Sequence, residues 1–85
     1  MHNETTLVEA LRVDRGLTVE HVAHVTGVSP KTIKRYETAE TTRPSGDALE
    51  RLARFYGVRA SVLLDDIRTF ARRRNRADDA TTVAA

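Results

Sequence analysis

The sequence predicts an all-α fold, a single small domain of about five helices, and three observations carry that prediction. No window of the 85 residues sustains the apolar and polar alternation that a half-buried strand requires. Apolar residues recur instead at helical spacing, in blocks that Thr or Ser opens and Gly closes. Aromatic residues make up only 5% of the chain and Cys is absent, so aliphatic helix faces must form the core without disulfide or thiolate-metal staples.

The first block follows Thr5-Thr6, either of which suits the cap of a helix with Leu7, Val8 and Leu11 on one face and Gly16 as its stop. Thr18 opens the second helix, about Val19 to Thr26, with Leu17 and Val22 in the two positions of a hydrophobic staple. The device recurs at once, because Val28 precedes Ser29 as cap, Pro30 takes the first helical position and Ile33 completes the staple. The third helix runs from about Pro30 to Thr38, and only Gly27, Val28 and Ser29 separate it from the second.

After a loop over Ala39 to Arg43, Ser45 is expected to cap a fourth helix with Leu49, Leu52, Ala53 and Tyr56 on one stripe and Gly57 at its end. A fifth carries Ala60, Leu63, Leu64, Ile67 and Ala71 on one stripe and ends in basic residues, as the negative pole of a helix favours. Residues 5–74 are thus the expected domain. Met1 to Glu4 are expected to be frayed, and residues 75–85, which from Ala77 on lack large side chains and apolar period, to be a disordered tail.

The net charge of +2 is unevenly spread: residues 29–43 carry +2 and residues 51–76 carry +6, which suits a polyanionic partner. No apolar run approaches the roughly 20 residues of a spanning helix, and the N-terminus lacks the basic and apolar regions of an export signal. A cytoplasmic protein with no membrane partner is expected.

The ordered series Leu11-Arg12, Gly16-Leu17-Thr18, Glu20-His21-Val22-Ala23, Gly27-Val28-Ser29, Thr32-Ile33, Tyr36-Glu37, Arg43-Pro44-Ser45, Leu49, Leu52-Ala53, Gly57-Val58 and Leu63 resembles the phage repressor/Cro helix-turn-helix family, often called XRE. The likeness covers about Leu7 to Leu64. It implies a compact five-helix, lambda-repressor-like DNA-binding domain in which helices two and three form the helix-turn-helix and helix three lies in the major groove.

What that implies for single residues follows the motif. Pro30, Lys31, Thr32, Lys34 and Arg35 on helix three are the base-reading candidates, with Arg35 chemically suited to guanine O6 and N7. Thr18, Val19, Ser29, Thr38 and Arg43 are the phosphate-contact candidates, Thr18 and Val19 through the N-terminus of helix two. Arg12 and Glu37 match a pair that bridges helix one to the end of helix three. Double-stranded DNA with an inverted repeat is the implied partner, bound by a homodimer, and no cofactor is implied.

Several positions depart from the family pattern. Val19 replaces a Gln that braces a phosphate, Thr26 replaces a large aliphatic, Thr38-Ala39 replaces a polar-Gly helix stop, and Glu40 puts an acid in a loop that is often basic. Gly46 and Arg59 are smaller departures. The run Arg68, Arg72, Arg73, Arg74 and Arg76 exceeds what the family requires, and it suits flanking phosphates and a solvated helix end equally.

Other chemistry lacks a frame. His21 and His24 share a helix face but the sequence supplies no third metal ligand, and no nucleophile elbow or phosphate-cradling glycine loop occurs, so neither a metal nor catalysis is expected. The rival to a DNA reader is a protein-interaction module or antitoxin on the same fold. For that role, and for a dimer, Leu63, Leu64, Ile67 and Phe70 are the candidate surface, because one small core is too narrow to cover the whole stripe.

Overall fold

The computed structural model describes residues 5–41, 43, 44 and 46–84, with the side chains of 75–84 left out. Five helices succeed one another: α1 (Leu7–Asp14), α2 (Val19–Thr26), α3 (Pro30–Glu37), α4 (Gly46–Tyr56) and α5 (Ala60–Ala84). No strand occurs among the described residues. The fold is all-α, with α2 packed on α3 and α4, α1 on α3 and α5, and α4 on α5.

Local side-chain bonds account for where the first three helices begin. The Thr6, Thr18 and Ser29 hydroxyls each accept the backbone N–H three residues on, at 3.3, 3.0 and 3.1 Å. Between Thr5 and Thr6 the cap is Thr6, which is fully buried because its hydroxyl also donates to the Glu37 carbonyl at 2.8 Å. The α2–α3 turn needs Gly27, whose φ of +79° lies in the left-handed region that a side chain resists. Thr26 contributes more than a methyl. Its hydroxyl donates to Val22 O at 2.7 Å and accepts from Val28 N–H at 3.2 Å, tying the turn to the helix before it.

Both staple pairs sit in the interior, with Val22 and Ile33 fully buried, Val28 nearly so and Leu17 packed against them. The core closes around Ile33, Leu52, Leu63, Ile67, Val8 and Val22. Burial of each large aliphatic is worth about 1.5–3 kcal/mol.

Two helix ends are finished by arginines from elsewhere in the chain. Arg15 donates to the last carbonyls of α4, to Tyr56 O at 2.9 Å and Phe55 O at 3.5 Å, and its guanidinium lies 5.3 Å from the Tyr56 ring centroid. Arg51 donates to Thr26 O at the end of α2 at 3.3 Å and pairs with Asp47 at 3.1 Å. At the opposite pole, Asp66 on α5 accepts the Leu7 N–H at 2.7 Å, a carboxylate on the positive end of α1.

One expectation needs correction. α5 does not stop near Arg74; its backbone continues as helix to Ala84, because neither Gly nor Pro interrupts residues 60–84. The α5 stripe is divided: Leu63 and Ile67 are fully buried, while Leu64 and Phe70 are only partly buried where they pack against the core. Among the described residues the exposed large apolar side chains are Val13, Val25 and Val62. Ser45 and Met1 to Glu4 lie outside the described residues.

Candidate nucleic-acid interface

Helix α3 divides sharply between a buried and an exposed face. Ile33, Tyr36 and Glu37 point inward, whereas Pro30, Lys31, Lys34 and Arg35 are exposed and Thr32 is half-buried. The sequence dictates this division, because Ile33 and Tyr36 are spaced three apart and the cationic residues fall on the turns between them. The outer face therefore offers three cations and no acid. Ser29 and Thr32 engage each other there: Ser29 Oγ donates to Thr32 Oγ1 at 2.9 Å and accepts the Thr32 N–H at 3.1 Å.

Arg43 is exposed in the following loop, and the structure brings it to the same place as α3. Thr32, Arg35, Tyr36, Thr41 and Arg43 line one depression of about 210 Å³. Two guanidiniums over one shallow hollow make an anion-attracting surface. Tyr36 and Thr41 were not legible as contributors: Tyr36 reads as a core residue at helical spacing, and a lone loop threonine carries no signal.

The phosphate candidates differ in what they can offer. Thr18 is exposed at the start of α2, where its hydroxyl accepts the His21 N–H. The Val19 side chain is in the core at 9% exposure, so only its backbone N–H is suited to a phosphate. Thr38 is exposed, but its hydroxyl donates back to Lys34 O at 3.0 Å, which leaves it no proton for a phosphate in this arrangement.

Beneath the surface, Arg12 and Glu37 meet in two-point contact, Nε to Oε2 at 2.7 Å and Nη2 to Oε1 at 3.1 Å, while Arg12 Nη1 donates to Leu17 O at 2.8 Å. The bond to Glu37 raises the Arg12 pKa further above its ordinary value, against the opposing effect of burial. The guanidinium thus holds α1, the entry to α2 and the last residue of α3 together. Tyr56 lies nearby with its hydroxyl buried and unpaired among the described residues. Burial, reinforced by the charge of Glu37, pushes its phenol pKa up.

Among the described residues no cluster of His, Cys, Asp and Glu could hold a metal ion, and no helix is long and apolar enough to cross a membrane.

A cryptic phage CTXphi transcriptional repressor, RstR, of Vibrio cholerae is 40% identical over 62 residues, which is 73% of this chain and 55% of the relative. The chain therefore spans about half the length of the curated relative it matches. No solved structure matches. The family model described as a helix-turn-helix domain matches residues 6–66, from the cap of α1 into α5. The chain belongs to the helix-turn-helix domain family.

Proposed function

We propose that this protein is a sequence-specific duplex-DNA-binding transcriptional regulator, a repressor that acts as a homodimer on an inverted repeat. The observation that carries the reading is the outer face of α3, where Lys31, Lys34 and Arg35 are exposed with no acid among them and Arg43 joins Arg35 across one depression. Lys31, Thr32 and Arg35 read base edges in the major groove, and Arg35 favours guanine. Lys34, Arg43 and the N-terminal N–H groups of α2 after Thr18 hold phosphates and fix the register. Similarity to a phage transcriptional repressor supports repression over activation. Two half-sites about one helical turn apart supply the affinity that one small reader lacks.

The rival reading, a protein-interaction module working through α5, has less apolar surface to work with, because Leu63 and Ile67 are fully buried and only Leu64 and Phe70 stay partly exposed. Selection of bound duplexes from a random library at near-physiological salt tests the proposal. An enriched inverted repeat is the expected result, and enrichment of no sequence overturns it.

A further inference from the structure

The C-terminal end of α3 is tied down carbonyl by carbonyl. Lys34 O accepts the Thr38 N–H and hydroxyl, both at 3.0 Å. Arg35 O accepts Glu40 N–H at 2.9 Å and Tyr36 O accepts Ala39 N–H at 3.2 Å, the two backbone bonds of a Schellman stop. Glu37 O accepts the Thr6 hydroxyl from α1. The last two, Thr38 O and Ala39 O, accept the two Nη groups of Arg74, which reaches across from α5.

The stop is unusual in a second way. Its left-handed position is held by Ala39 at φ +56°, where glycine is the ordinary choice, and the Ala39 side chain is fully buried. A Cβ in that conformation is strained, so the turn persists only where surrounding contacts over-determine it. Arg74 supplies two of those contacts with a planar fork that matches two adjacent carbonyls, and its positive charge suits the negative pole of α3. Arg74 also lies beyond the residues 6–66 that the family model matches. Arg72 and Arg73, its neighbours, are exposed, and Arg72 donates to Thr69 on its own helix.

We propose that Arg74 is the positioning residue of the DNA interface. It locks the end of α3 and the start of the α3–α4 loop, so that Arg35 and Arg43 keep their common geometry without any contact between Arg74 and the nucleic acid. The proposal rests on the DNA-binding reading above for its functional half, while the locking of α3 stands independently of it.

Two measurements test it on the full chain, using wild type, Arg74→Ala, Arg74→Lys and, as a control, Arg73→Ala. The first is amide hydrogen exchange without DNA. In Arg74→Ala the Ala39 and Glu40 amides are expected to exchange about tenfold faster, the scale of losing charge-assisted hydrogen bonds, with α2 and α4 unchanged. The second is affinity for the selected duplex as a function of salt. Arg74→Ala is expected to bind about tenfold more weakly with the wild-type salt slope, whereas loss of a phosphate contact lowers the slope by about 0.9. Arg74→Lys keeps the charge but not the fork, and is expected to fall between the two in both measurements. Unchanged exchange, unchanged affinity, a reduced salt slope, or full rescue by lysine each overturns the proposal. If wild type binds no duplex, the regulator reading fails and the exchange data alone decide whether Arg74 locks α3.

Discussion

Arg12 on α1 and Glu37 at the end of α3 form a two-point ion pair with contacts of 2.7 and 3.1 Å, and their side chains are only 16% and 6% exposed. A pair so enclosed costs desolvation on both sides, so its net contribution is small, but removing one member strands the other.

Glu37→Ala is accordingly expected to destabilise the domain by about 3 kcal/mol, measured by urea unfolding. Replacing Arg12 and Glu37 together by apolar residues of similar volume should cost much less than the two single changes summed. An unchanged unfolding midpoint in Glu37→Ala contradicts the bridge.

Tyr56 predicts both a mutant effect and a pH effect. Its buried hydroxyl lacks a partner among the described residues, so Tyr56→Phe is expected to be neutral or to stabilise by up to about 1 kcal/mol. Its pKa is raised in the fold above the ordinary 10.0, so the unfolded chain ionises first as pH rises. The stability it contributes is intact below pH 10.0 and is lost as pH climbs toward the folded value. Urea midpoints measured about one pH unit either side of 10.0 should fall more steeply with pH in wild type than in Tyr56→Phe.

Ala39 separates strain from packing. Ala39→Val is expected to cost about 2–3 kcal/mol, because a β-branched side chain resists positive φ and overfills a buried site. In Ala39→Gly the strain relieved is offset by the lost methyl contact and the freer unfolded chain, leaving a change within about 0.5 kcal/mol. Thermal unfolding of both variants checks the pair.

How much of this was legible depends on range. The caps Thr18 and Ser29 and the turn at Gly27 are decided within three or four residues, so their spacing is visible in the chain itself. The Arg12–Glu37 pair is not; two charges 25 positions apart carry no local signal, and only the family resemblance paired them. The α5 stripe was legible only in outline, for the complementary reason. Periodicity correctly put Leu63, Leu64, Ile67 and Phe70 on one side, but how much of that side is covered depends on α1 and α4 lying against it. Arg74 was hidden among five basic residues that look alike in sequence, and only the position of the α3 terminus distinguishes it.

Among the interface residues, Arg43→Ala is expected to weaken binding to all duplexes alike and to lower the salt slope by about 0.9, as one lost phosphate contact should. Titrations of selected and random duplex at several salt concentrations check this, and a loss confined to the selected duplex would reassign Arg43 to base reading.

Whether the outer face of α3 reads sequence is decided by the ratio of affinities for the selected and a random duplex in Arg35→Ala. The expected result is a loss of about 1–3 kcal/mol on the selected duplex, little change on the random one, and relaxed preference at a single base pair. Equal losses on both duplexes would contradict it and leave Arg35 as one more phosphate contact.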